Sequence, residues 1–192
     1  MRVGITGGIG SGKSIVGQVL VRMGHPLYDA DSRAKWLIEH DGQLVEGITM
    51  LLGPWAYADG RYNRIRVAQL VFDQPHLLHQ LNALVHPAVA ADFERWASSQ
   101  HGAGLVFMEA AILFESQFDK LVERTVAVLA PDRVRIERVM RRDGAIRQQV
   151  EVRMRAQMPP AEMAQRADLT VNNDGKSLIV PQIIDILQRL SE

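Results

Sequence analysis

The chain has 192 residues, with 22 Lys plus Arg balanced by 22 Asp plus Glu, and no cysteine. That length can bury a full core in one domain, alone or with a small appended lobe, and the even charge excludes a generalised basic surface for nucleic acid while leaving room for a local patch. The lack of cysteine removes disulfides, thiolate zinc sites and a cysteine nucleophile, and no apolar run approaches the roughly 18 residues of a membrane span.

The first strand is expected to start at Arg2, which leaves no room for a signal peptide and points to a soluble, cytoplasmic protein. Arg2-Val3-Gly4-Ile5-Thr6 runs straight into Gly7-Gly8-Ile9-Gly10-Ser11-Gly12-Lys13-Ser14, and a helix-like stretch follows from Ile15 to Met23. This satisfies G-x-x-x-x-G-K-[ST] between a strand and a helix, the context that motif requires. Such a loop offers a phosphate chain unpaired N–H groups and the positive end of a helix dipole. Gly7, Gly8, Gly10 and Gly12 are expected to admit the phosphate closely, Lys13 to reach the β and γ phosphates, and Ser14 to take one position on Mg²⁺. No G-x-G-x-x-G can be read here, so a dinucleotide fold lacks its main signal.

After Gly24, His25-Pro26-Leu27-Tyr28 reads as a short extended segment ending in Asp29-Ala30-Asp31. Carboxyl ends of parallel strands face the ligand crevice, so one or both aspartates can look toward the loop; equally, Asp31 or Ser32 can cap a helix beginning near Arg33. From Arg33 to Ser99 the period is helical, with breaks at Gly53-Pro54, Asp59-Gly60 and Pro75 and no strand candidate. His86-Pro87 is expected to open the last helix, with His86 extended; Trp36, Trp55 and Trp96 are assigned to core and lobe packing. So long a crossover predicts a substrate lobe beside the nucleotide site.

Leu105-Val106-Phe107-Met108 suits a strand buried on both faces and delivers Glu109 to its carboxyl end, either as a Walker B type acid or as a cap on the next turn. A third buried run, Thr125 to Leu129, leads through Pro131 into a basic helix with Arg135, Arg138 and Arg142 at helical spacing and Arg141 adjacent. Phosphoryl transfer needs cations over the moving group, so one or two of Arg138, Arg141 and Arg142 are expected to be functional on a closing flap. Asp168 to Val171 reads as the final strand and Leu178 to Leu190 as an amphipathic helix. Alternating strands and helices predict an α/β fold with a parallel sheet of about five strands.

Taken together, these segments resemble the dephospho-CoA kinase family. The resemblance runs from Val3 to about Leu187 and rests on Thr6 through Ser14, Asp29-Ala30-Asp31, Leu81 through Pro87, Leu113-Phe114-Glu115, Arg138 through Asp143, Gln157, and Ala167-Asp168 with Asn172-Asn173. It implies a P-loop NTPase, three-layer α/β/α and similar to the nucleoside monophosphate kinases. The core would be about 1–32, 103–132 and 166–192, the helical CoA-substrate lobe about 33–102, and the lid about 133–165. It also implies transfer of the γ-phosphoryl of ATP to the 3′-hydroxyl of dephospho-CoA with Mg²⁺, by a monomer or weak homo-oligomer. Asp31 would orient or deprotonate that hydroxyl, and Lys13 and Arg142 would hold the moving charge. Gly8, Gly10, Ser11, Gly12, Lys13, Ser14, Ile15, Arg138 and Asn173 would bind ATP, while Asn63-Arg64, His86 and Glu115 would lie by the acceptor. Ile15 stands where the family often has a threonine whose hydroxyl can meet the α-phosphate, and Glu109 to Glu115 departs from the usual Val-Pro-Leu-Leu-Phe-Glu.

Other P-loop readings lose their markers. A nucleoside monophosphate kinase would carry D-G-x-P-R after the second core strand, and a GTP-dependent switch would carry N-K-x-D where this chain has Asn172-Asn173-Asp174-Gly175. A binding module without catalysis is opposed by the intact Lys13, Ser14 and Asp31.

Overall fold

The computed structural model describes residues 1–191 and divides into two compact units, Met1–Asp29 with Ser99 onward, and Ala30–Ser98. The chain begins with β1 (Arg2–Thr6), α1 (Lys13–Arg22) and β2 (Leu27–Asp29). The second unit follows as α2 (Ala30–His40), α3 (Gly42–Leu52), a 3₁₀ turn at Pro54–Ala56, β3 (Tyr57–Ala58), β4 (Arg61–Tyr62), α4 (Arg64–Asp73) and α5 (Pro75–Ser99). The first unit resumes with β5 (Val106–Glu109), a 3₁₀ turn at Phe118–Leu121, β6 (Arg124–Leu129), α6 (Asp132–Asp143), α7 (Arg147–Arg155), α8 (Pro160–Arg166), β7 (Leu169–Asn172) and α9 (Ile179–Ser191).

The first unit is a three-layer α/β/α sandwich around a five-stranded sheet in the order β2-β5-β1-β6-β7, every pairing parallel. Buried continuous runs make the inner strands: all four residues of β5 are buried, as are Thr125 to Val128 of β6. Val16 and Leu20 of α1 and Ile183, Ile186 and Leu190 of α9 pack with Val3, Ile5, Phe107, Val126 and Val171 in one cluster. Such side chains contribute about 1.5–3 kcal/mol each when fully buried. Phe114, Ala127 and Met163 form a second cluster, and Ile136, Val139 and Val150 a third that includes Ile9. The outer strand β7 ends in a reciprocal pair: Asn172 N donates to Gln182 Oε1 at 2.8 Å and Gln182 Nε2 donates to Asn172 O at 3.0 Å.

The second unit is helical, with one hairpin that the sequence pattern did not announce. Asp59 and Gly60 have φ of 52° and 74°, both positive as a two-residue type I′ turn requires, so the Asp59-Gly60 break closes β3 on β4. Asp41 Oδ1 accepts from Leu44 N at 2.9 Å and Asn63 Oδ1 from Arg66 N at 3.3 Å, which caps α3 and α4. Burial pushes the Tyr57 hydroxyl up to about 12, so it remains a donor, and it bonds Ile38 O at 2.7 Å. Trp36 packs on the lobe's surface rather than in its core, between Arg33 at 4.5 Å and the stacked ring of His40 at 4.7 Å.

Two expectations need correction here. Pro87 lies inside α5, so His86 is helical and not an extended residue at a helix entrance. Burial of Leu81, Val85, Val89 and Phe93 on one face of that helix outweighs the hydrogen bond a proline removes. And α2 begins at Ala30, which puts Asp31 within its first turn, so neither Asp31 nor Ser32 caps a helix starting near Arg33.

Candidate active site

The carboxyl end of β1 runs directly into the loop Gly7 to Gly12, and α1 starts at Lys13. Gly12 is left-handed at φ 94° and Gly10 at φ 77°, so both positions need glycine for the backbone alone. What lies behind the glycines is more specific than an open approach for phosphate. A Cβ on Gly8 would run into Nη2 of Arg135, one on Gly10 would lie 2.5 Å from the Arg135 carbonyl oxygen, and one on Gly12 would run into Nδ2 of Asn173. The loop is thus seated against α6 and the end of β7. Gly12→Ala is expected to lower ATP affinity at least about tenfold and the thermal midpoint by several degrees, since a left-handed alanine costs roughly 1–2 kcal/mol before Asn173 is displaced. Thermal unfolding with and without nucleotide reads both effects.

Hydrogen bonds hold the loop in that seat. Asn173, only 3% exposed, donates through Nδ2 to Ser11 O at 2.7 Å and accepts at Oδ1 from Arg138 Nη2 at 3.1 Å. Arg138 Nη1 donates to Asn173 O at 3.1 Å and more weakly to Gly10 O and Ser11 O, both at 3.4 Å. Arg135 Nε donates to Ile9 O at 3.0 Å, and Ile9 N donates to Gln157 Oε1 at 2.8 Å. Among the expected ATP-binding residues, Arg138 and Asn173 are therefore brought to the loop itself. Ile15 is exposed on the first turn of α1, next to the exposed Ser14.

On the neighbouring strand β5, Glu109 stands in register with Ile5 and its Oε1 accepts from Ser14 Oγ at 3.0 Å. This places an acid at the strand end beside the loop's hydroxyl, and it separates the two candidate acids. Glu115, by contrast, is exposed and accepts from Met158 N at 3.0 Å, anchoring the turn that leads to α8. A hard divalent cation such as Mg²⁺ takes one or two protein oxygens and completes its shell with water and phosphate, and the Ser14 hydroxyl with the Glu109 carboxylate fits that pattern. Among the described residues no group of three or more His, Cys, Asp or Glu could form a larger protein cage.

The remaining expected residues are spread over both units. Asp31 follows β2 by two residues, in the first turn of α2. Arg64 is the first residue of α4, exposed, and its charge counteracts the burial that raises the Tyr62 hydroxyl. Burial lowers the pKa of His86, which favours the neutral ring. Arg142 is exposed near the end of α6 and binds Asp143 through two hydrogen bonds of 2.6 and 3.1 Å, while Arg153 adds a third at 2.9 Å. These bonds, the Arg142 one foremost, bring the Asp143 carboxyl down to about 2. Three residues near the loop carried weaker signals in the sequence. Glu109 was visible as a strand-end acid, Gln157 only through the family resemblance, and Arg135 as one arginine in a row whose burial no period reveals.

A phosphate-binding loop on the central strand of a parallel sheet, an acid on the adjacent strand and arginines arriving from a following helix define a P-loop kinase. A family model described as dephospho-CoA kinase matches residues 1–178. A dephospho-CoA kinase of Porphyromonas gingivalis is 42% identical over 97% of this chain and 92% of its own length. Another, from Chlorobaculum tepidum, is 39% identical over 90% of this chain and 86% of its own length. The chain belongs to the dephospho-CoA kinase family. A crystal structure from Thermus thermophilus superposes with a TM-score of 0.85 at 37% identity, covering 100% of this chain and 96% of that one. The shikimate kinase of Bacteroides thetaiotaomicron, at 15% identity and a TM-score of 0.58 over 100% of this chain and 99% of that one, shares the fold.

Proposed function

We propose that the chain transfers the γ-phosphoryl group of ATP to the 3′-hydroxyl of dephospho-CoA, giving CoA and ADP in the last step of coenzyme A biosynthesis. One observation carries the donor half: a complete phosphate loop whose Ser14 hydroxyl pairs with the Glu109 carboxylate at 3.0 Å. The family supplies the acceptor half. The bond from the ribose oxygen to Pγ forms as the bond from Pγ to the β,γ-bridging oxygen breaks, and ADP leaves with that electron pair. The acceptor's proton passes to Asp31. Because the transition state is loose, alignment and charge stabilisation dominate over early proton removal.

Loop amides and Lys13 grip the β and γ phosphates, Arg138 and Asn173 keep the loop's shape, and Ile15 borders the α-phosphate. Arg142 reaches the moving charge when the lid, about residues 133–165, closes; the part free to move lies between Arg138 and Gln157, since Arg135, Arg138 and Gln157 are tied to the loop. Ser14 and Glu109 would hold Mg²⁺, which when bound neutralises charge on the phosphate oxygens. The unit Ala30–Ser98 is read as the acceptor lobe, with Arg64 and His86 by the substrate, while Glu115, which the family resemblance also assigns to the acceptor, belongs to the other unit. No helix among the described residues is long and apolar enough to cross a membrane. The enzyme works in the cytoplasm as a monomer or weak homo-oligomer.

The test is ADP release from Mg-ATP with dephospho-CoA and, in parallel, a panel of nucleosides and nucleoside monophosphates. Turnover that requires dephospho-CoA is expected. Comparable or faster turnover with a nucleoside would replace the acceptor, and none with any acceptor would remove the assignment.

A further inference from the structure

Arg135 is 3% exposed, and its guanidinium is wedged beneath Gly8 and Ile9. Its Nε bonds Ile9 O at 3.0 Å and its Nη1 bonds Asp132 Oδ1 at 3.0 Å, which turns Nη2 against Gly8. From the other side Gln157 Oε1 takes the Ile9 N–H at 2.8 Å, so both polar groups of residue 9 are held by side chains, one from α6 and one from the turn after α7. The space left among Gly8, Ser11, Arg135, Pro160 and Met163 is about 10 Å³, room for about one water, so the loop rests on a solid support.

A neutral donor would satisfy Ile9 O at far less desolvation cost than a cation. What the charge adds is attraction for a polyanion on the loop's open side. Its partner Asp132 has 66% of its side chain in solvent, where water screens the carboxylate more than the buried guanidinium. We propose that Arg135 is a positioning and affinity residue for the nucleotide phosphates: with Gln157 it sets the shape of the Gly8-Ile9 segment, and its buried charge draws the triphosphate to the loop. This rests on ATP being the loop's ligand.

Direct titration with Mg-ATP and Mg-ADP, beside steady-state kinetics, reads the effect. R135Q keeps a donor and most of the volume but loses the charge; it is expected to weaken ATP binding about tenfold, ADP less, with KM for dephospho-CoA within about twofold. R135K keeps the charge and is expected to recover most of the ATP affinity. D132N, at an exposed position, removes the counter-charge and is expected to tighten ATP about twofold. A merely structural arginine predicts the opposite sign, because loss of Asp132 would loosen the side chain and weaken the nucleotide. D132N with unchanged or weaker ATP affinity, or R135K no better than R135Q, overturns the inference; if R135Q does not fold, D132N and R135K decide it by their affinities against the parent. Parent protein that failed to bind Mg-ATP would instead remove the proposed function on which this stands.

Discussion

Asp31→Asn is expected to lower kcat by about 10³-fold while KM for ATP stays within about twofold. Asparagine matches aspartate in size and keeps one oxygen to receive the acceptor's hydroxyl, so substrate placement is largely retained. What disappears is the group that takes the proton as the ribose oxygen bonds to phosphorus. Asp31 lies in the first turn of α2, where an acid favours the helix dipole by about 0.3–1 kcal/mol, too little for its loss to unfold the unit. The substitution leaves the loop, Lys13 and Ser14 unaltered, which is why ATP affinity is expected to be spared. Steady-state kinetics with each substrate varied in turn checks this. Equal and modest losses in kcat and in ATP affinity would remove Asp31 from the role.

Lys13→Ala is expected to damage binding and turnover together, with kcat/KM for ATP falling about 10³-fold or more. Lys13 opens α1, and its side chain lies against Gly7, where an added Cβ would come 3.0 Å from Lys13 Cγ. An ammonium there meets negative charge in the ground state and a different distribution of it in the transition state, so both parameters depend on it. Alanine is the best helix former, and the start of α1 should persist. ATP titration by calorimetry combined with single-turnover ADP release separates the two losses. Unchanged ATP affinity in Lys13→Ala would place the lysine away from the phosphates.

Much of the sheet was legible because burial on two faces leaves a plain mark: Val106 to Met108 and Val126 to Leu129 are unbroken apolar runs, and each became part of an inner strand. The loop was legible for a different reason, since spacing, glycine and lysine are all local. The hairpin at Tyr57 to Tyr62 escaped because strands of two residues have no period to read, although Asp59-Gly60 is the turn chemistry it needs. Pro87 misled because a local preference was overridden by packing along α5. Arg135 and Arg142 share one helix and one residue type, and only the fold distinguishes the buried guanidinium under Gly8 from the exposed one on Asp143. Nor does spacing reveal that Asn173 occupies the space a side chain at Gly12 would need, because the two are brought together only by the pairing of β7 with β6.

Gln182 has a bearing on how the protein survives in concentrated solution. A sheet margin normally presents a bare row of donors and acceptors on which another polypeptide can extend, and here the margin is only four residues, Leu169–Asn172. At its last residue the side-chain amide from α9 imitates the next strand, consuming the N–H and the C=O of Asn172 alike. The lamination that leads to fibrils therefore finds a shortened template on that flank.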